Sequence, residues 1–174
     1  VEQAVRTSLF GRPGPAYLDF PDDIIQGQVE AAELVSTGIV GDAPRSQAMP
    51  ENVRAALAVL ESAERPLVII GKGMAWSRAE DELRKFIERT QLPFLASPMG
   101  KGMLSDDDPL SVGAARSHAL KEADVVFLMG ARLNWIMHFG LPPRFAPDVK
   151  IIQLDIAAET CSTSVAAEVA LVGD

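Results

Sequence analysis

Ala123-Asp124-Val125-Val126-Phe127-Leu128-Met129-Gly130-Ala131-Arg132-Leu133-Asn134-Trp135 is the stretch that decides the fold. Its apolar run, Val125 to Met129, reads as a strand buried on both faces, the pattern of a parallel sheet covered by helices. The run empties into a glycine, a small residue and an arginine. In an open α/β sheet, ligands bind outside the carboxyl ends of the strands. An arginine there, beside a glycine that lets backbone approach a ligand, suits a phosphate or a carboxylate. The same grammar recurs at Ile69-Ile70-Gly71-Lys72-Gly73 and at Gln153-Leu154-Asp155. Three strand ends carrying Lys72, Arg132 and Asp155 read as one nucleotide-shaped site; the alternative for each motif is a glycine that simply ends a strand beside a solvated Lys or Arg.

Working outward, helix and strand alternate from Pro50 onward. Glu51 to Ala63 is amphipathic, with Val53, Ala56, Leu57 and Leu60 on one face. Pro66–Ile70 is a buried strand, and Ser77 with Glu80 forms a capping-box pattern for a helix running to about Arg89. Strands follow at Pro93–Ser97, Val125–Met129, Lys150–Asp155 and Val169–Val172, with a helix near Val112 to Glu122. With a short strand at Ala16–Phe20 the count is about six. The expected fold is therefore α/β, a Rossmann-like parallel sheet with helices on both faces.

Upstream, Val1 to Phe10 has helical spacing and Gly11-Arg12-Pro13-Gly14 stops it. Residues 22–49 contain little periodicity and read as a linker, with a helical turn or two near Gln26 to Leu34. The expected organisation is 1–21 as the end of a preceding domain, 22–49 as linker and 50–174 as a dinucleotide-binding-like domain. The chain lacks an initiating Met and opens inside a helical pattern, so it is expected to be a piece of a longer protein.

Composition narrows the function classes. The formal charge is −8 at pH 7 and 48% of the 174 residues are hydrophobic. With a sequence pI near 4.8, nucleic acid is not expected as a partner, because phosphate-backbone binding needs clustered Lys and Arg. A small phosphorylated ligand needs only a few local cations. No apolar run reaches the roughly 18 residues of a membrane span. The single cysteine, Cys161, precludes an internal disulfide and fits a reducing compartment.

Gly71-Lys72-Gly73-Met74-Ala75-Trp76 follows a strand, yet Trp76 stands where the dinucleotide fingerprint has its third glycine. Its expected role is a glycine turn whose backbone N–H groups face a ligand, with Lys72 as a point charge. Asp155 has two readings: a ribose acceptor, or the cap of a helix begun by Ala157-Ala158-Glu159. Arg116, in the small-residue run Gly113-Ala114-Ala115-Arg116-Ser117, is either a ligand contact at a helix start or an ordinary exposed helix arginine. Asp106-Asp107-Asp108 lacks the calcium-loop spacing and reads as a solvated turn before Pro109. His118 and His138 lack a ligand register for zinc, and no nucleophile–base constellation stands out, so no catalytic or metal-binding residue is assigned.

Together the motifs resemble a known family. Val5-Arg6 with Gly11 to Pro21 is similar to the end of the pyrimidine-binding domain of thiamine-diphosphate enzymes, and the remainder to their central domain. Within that superfamily, Gly71-Lys72-Gly73, Pro98-Met99-Gly100-Lys101-Gly102, Gly113 to Arg116 and Gly130 to Trp135 resemble 2-hydroxyacyl-CoA lyases and oxalyl-CoA decarboxylases. The stretch Asn134 to Phe145 favours the lyase branch. The resemblance implies the middle domain of a three-domain, homo-oligomeric carbon–carbon lyase acting on a 2-hydroxyacyl-CoA. The alternatives are an oxalyl-CoA decarboxylase, or a stand-alone ADP-binding or scaffold module. Thiamine diphosphate and Mg²⁺ would be held by parts of the full-length protein outside this chain, which alone would be inactive and bind neither.

For this domain the resemblance implies an ADP surrounded by Arg12, Lys72, Arg132, Asp155 and Ile156, with Arg132 facing phosphate and Asp155 the ribose. Gly113, Ala114, Ala115, Arg116 and Ser117 would lie along the same nucleotide or along CoA, and FAD is a third candidate ligand. Implied partners are an acyl-CoA substrate, ADP and the other domains of the polypeptide, in a cytoplasmic or peroxisomal setting.

Overall fold

The structure, a computed structural model, describes residues 1–35, 38 and 40–174. They form two compact units, Val1–Pro44 and Arg45–Asp174.

In the first unit, α1 (Glu2–Leu9) carries an i,i+4 ion pair in which Arg6 Nε donates to Glu2 Oε1 at 2.9 Å. The Arg6 guanidinium also lies over the Phe10 ring, 5.6 Å from its centroid. A single turn, α2 (Asp22–Ile25), and a 3₁₀ turn at Ala31–Glu33 follow. The strand expected at Ala16–Phe20 does not form. These residues are exposed and pair with no strand. Pro15 and Pro21 flank them without a backbone N–H to offer a ladder. Residues 36, 37 and 39 of the expected linker lie outside the described residues.

The second unit is the α/β body. After α3 (Pro50–Glu61) come β1 (Pro66–Ile70), α4 (Lys72–Trp76), α5 (Glu80–Thr90) and β2 (Phe94–Ala96). Then follow α6 (Arg116–Glu122), β3 (Val125–Met129), β4 (Lys150–Asp155) and β5 (Val169–Val172). All pairings are parallel and the order is β2-β1-β3-β4-β5. Among the described residues the sheet thus has five strands, not about six.

The continuous apolar runs are explained by burial on both sides. Val68, Ile70, Phe127 and Ile152 pack with Ala56 of α3 and with Leu83 and Ile87 of α5. The alternate residues Leu67, Ile69, Val126, Leu128 and Ile151 pack with Leu120 of α6 and with Met137 and Phe145 of the loop after β3. Burying each such side chain contributes about 1.5–3 kcal/mol, so neither face can be left bare. Phe86 meets Phe127 edge-on at 6.1 Å and 82°.

Two helices differ from expectation. In α3 the packed side is Ala56, Val59 and Leu60, while Val53 and Leu57 are exposed. The sequence pattern is broad enough to fit either rotation. Ser77 does not cap the following helix. It ends α4, its Oγ bonding the Met74 carbonyl at 3.0 Å. Arg78 then takes a left-handed conformation (φ 53°), and α5 starts at Glu80.

Candidate functional site

The strand order creates the site. From β1 the chain passes to β2 on one side, then returns across to β3 on the other, so the order reverses between β1 and β3. A crevice outside the carboxyl ends of the strands at such a reversal is where open α/β sheets take their ligands. Lys72 follows β1, Arg132 follows β3 and Asp155 ends β4, the next strand over. These three residues therefore share one sheet edge, as their sequence grammar requires.

The strand ends are joined by main chain. Gly71 N–H donates to the Met129 carbonyl at 2.9 Å, Gly73 N–H to Gly130 at 3.0 Å, and Gly130 N–H to Leu154 at 2.9 Å. Side chains at this junction would collide. A Cβ on Gly71 would strike the Gly130 carbonyl, and one on Gly100 would strike the Ile70 carbonyl. The glycines of Gly71-Lys72-Gly73 and Pro98-Met99-Gly100 are thus required by loop-to-loop packing. This corrects the expectation that the Gly71 and Gly73 N–H groups face a ligand, since both already donate to the β3 turn.

The side chains divide by exposure. Lys72 and Arg132 are exposed and enter no hydrogen bond or ion pair among the described residues. The Lys72 ammonium lies over the Trp76 ring, 5.0 Å from its centroid. Asp155 is buried at 6% exposure, and its Oδ1 accepts the Ala157 N–H at 2.9 Å. This is an i→i+2 side-chain turn ahead of the 3₁₀ turn at Ala158–Thr160, whose own N-cap, Ala157, has no side-chain cap bond, so Asp155 is not the cap of a helix. Ile156, next in chain, is half-buried.

Gly113, Ala114 and Ala115 form a 3₁₀ turn leading into α6, and with Ser117 they are exposed. Arg116 is half-buried and turned to protein: its Nη2 donates to the Ile136 carbonyl at 2.5 Å and lies 3.5 Å from Met137 Sδ. It therefore fastens α6 to the 3₁₀ segment Trp135–Gly140. That segment is wound tightly on Asn134, which accepts the Ile136 N–H on Oδ1 and the Met137 and Phe139 N–H groups on its carbonyl. His138, Phe139 and Gly140 are consecutively left-handed, and Trp135 stands 73% exposed. Arg12 belongs to the first unit, exposed on the bend after α1.

Sequence reading missed two organising residues. Gln153, 3% exposed in mid-β4, donates from Nε2 to the Thr160 carbonyl at 3.1 Å and accepts the Ser162 N–H on Oε1 at 3.2 Å. It shapes the loop carrying Ile156, and a polar residue inside an apolar strand was the available signal. At the opposite edge, the Asp124 carboxylate accepts the N–H groups of Glu64 and Arg65 at 2.8 and 2.9 Å. Partial burial pushes its pKa up, but these bonds, its own N–H and the Arg65 charge outweigh that and hold it below the ordinary carboxylate value.

A surface cleft lined by Arg84, Ile87 and Glu88 of α5 and by residues 102–106 and 108 contains none of the sequence-predicted site residues. Asp106 there pairs with Lys101 at 3.1 Å, and Asp108 Oδ1 accepts the Leu110 N–H. Among the described residues, no group of three or more His, Cys, Asp or Glu side chains is placed to hold a metal ion. Among the same residues, no helix is long and apolar enough to cross a membrane.

Comparison with known proteins agrees with this geometry. Residues 53–174 match the family described as "Thiamine pyrophosphate enzyme, central domain". The 2-hydroxyacyl-CoA lyase 1 of Mus musculus is 51% identical over 174 residues, covering 100% of this chain and 30% of that protein. The human protein of the same name is 49% identical, with the same coverage. The oxalyl-CoA decarboxylase of Escherichia coli (strain K12) is 44% identical over 174 residues, covering 99% of this chain and 31% of that protein. The chain spans about 30% of the length of the curated relatives it matches. A switch-point α/β sheet, the resemblance of its strand-end motifs and the family match over residues 53–174 lead to one assignment: the chain belongs to the thiamine pyrophosphate enzyme central-domain family.

Proposed function

We propose that this chain is the central, nucleotide- and CoA-facing domain of a thiamine-diphosphate-dependent 2-hydroxyacyl-CoA lyase, and that it is not catalytic alone. The observation carrying this reading is 51% identity to a 2-hydroxyacyl-CoA lyase running across all 174 residues. When bound to the whole protein, thiamine diphosphate supplies carbanion stabilisation, which no side chain provides by itself. This chain contributes binding. Lys72 and Arg132 offer two uncompensated cations at the switch point, suited to the phosphates of ADP. Asp155 and Ile156 lie one strand over, at the ribose end of that ligand. The turn Gly113 to Ser117 lies along the nucleotide or along CoA.

A second reading, the same domain in an oxalyl-CoA decarboxylase, is favoured by 44% identity over 174 residues to the E. coli enzyme. Assay of the full-length protein with thiamine diphosphate and Mg²⁺ separates the two. Cleavage of 2-hydroxyacyl-CoA with little turnover of oxalyl-CoA is expected; the reverse preference favours the second reading, and turnover of neither overturns both.

A further inference from the structure

In a dinucleotide fingerprint, anion recognition rests on backbone N–H groups at the start of a helix, and the third glycine lets that helix pack close to the strand. Neither device is available here. The Gly71 and Gly73 N–H groups donate to Met129 and Gly130. The helix that follows, α4, is only Lys72–Trp76. With those two N–H groups engaged, a side chain is the natural source of anion recognition at the end of β1, and Lys72 is the cation there. A lysine has a flexible four-carbon stem, so it needs a means of being held. A carboxylate would hold it but would cancel its charge.

Trp76, the residue that breaks the fingerprint, holds it differently. Its ring lies beneath the Lys72 ammonium at 5.0 Å, one helical turn on. The scaffold under both residues is fixed. Met74 is buried, Ser77 N–H donates to the Gly73 carbonyl at 2.9 Å, and Ser77 Oγ bonds the Met74 carbonyl. We infer that Trp76 is a positioning residue: its indole face holds the Lys72 ammonium at the switch point while leaving its positive charge whole for a diphosphate. This deepens, and rests on, the reading of the carboxyl edge as an ADP site. The tryptophan is then a substitute for the missing backbone cradle.

The test is titration of the 174-residue chain with ADP, using Trp76→Leu, Trp76→Phe, Lys72→Ala and the double variant Lys72→Ala/Trp76→Leu. Trp76→Leu is expected to weaken ADP binding about two- to fivefold, the scale of an exposed cation–π contact. Trp76→Phe should stay within about twofold of the unsubstituted chain, since a ring face remains. The double variant should bind no more weakly than Lys72→Ala. Proton NMR gives a readout without ligand: ring current should move the Lys72 ε-methylene signals upfield, and Trp76→Leu should return them to the ordinary position.

Saturable ADP binding left unchanged by Trp76→Leu, or weakened equally by it in the Lys72→Ala background, overturns this inference and leaves the site reading standing. Ordinary Lys72 signals in the unsubstituted chain also overturn it. No ADP binding by the unsubstituted chain overturns the site reading, and the inference with it.

Discussion

Gly73 and Gly130 are packed backbone against backbone. A Cβ on Gly130 would fall 2.6 Å from the Gly73 Cα, and a Cβ on Gly73 would fall 2.7 Å from the Gly130 Cα. This packing brings the loop carrying Lys72 against the loop carrying Arg132. It sets two separate strand-end motifs side by side, and the Gly71 and Gly73 N–H groups are engaged by the Met129 and Gly130 carbonyls.

The same packing makes Gly130→Ala severely destabilising. Gly130 is left-handed (φ +60°) as well as crowded, so alanine meets both backbone strain and collision. A loss of more than about 2 kcal/mol is expected, read as a lowered denaturant midpoint. Gly102 is the control: it is left-handed (φ +91°) but faces open space. Gly102→Ala should cost only about 1 kcal/mol, from backbone strain alone. Equal losses at the two positions would remove the steric explanation.

Most of this fold was legible because burial on both faces leaves a plain mark. Pro66–Ile70, Val125–Met129, Lys150–Asp155 and Val169–Val172 are strands with the bounds their apolar runs indicate. Ala16–Phe20 shows where local reading fails: the segment reads as a short strand, but only a partner makes one. The shared sheet edge of Lys72, Arg132 and Asp155 was also readable, since each follows or ends a recognisable strand. The uses of Arg116, Gln153 and Asp124 were not. Each depends on a carbonyl or N–H outside its own element, such as Ile136 for Arg116 and Glu64 for Asp124. Local pattern carries no trace of such partners.

Asp124→Asn tests the clamp at the amino edge. The carboxylate joins the α3–β1 turn to β3, and the Lys150 N–H donates to the Asp124 carbonyl at 2.9 Å. Losing the charge at pH 7 should cost about 1–2 kcal/mol, a charge-assisted bond pair reduced for partial exposure. Because the folded-state pKa lies below the ordinary value, this stability is present above the unfolded-state pKa. It disappears as pH falls through the folded-state pKa. The gap between unsubstituted chain and variant should therefore close below about pH 4 in urea titrations, and a constant gap would argue against an electrostatic cause.

Arg116→Ala should loosen residues 134–141 without unfolding the sheet. The substitution removes the hydrogen bond that Nη2 donates to the Ile136 carbonyl. Hydrogen exchange of the Met137 and Phe139 amides, both donated to Asn134, is expected to quicken about tenfold while β3 amides hold their rates. Unchanged exchange at those two amides would show that Asn134 alone holds the loop.

The most direct measurement is calorimetric titration of the chain with ADP, with CoA and FAD for comparison, repeated on Arg132→Ala. Arg132 is exposed and makes no side-chain hydrogen bond among the described residues, so its removal should leave stability unaltered. Saturable ADP binding that falls at least about tenfold in the variant, the scale of one charged hydrogen bond, is the expected result. ADP binding of equal strength with and without the Arg132 guanidinium, or no binding at all, would contradict a nucleotide site at the β1–β3 switch point.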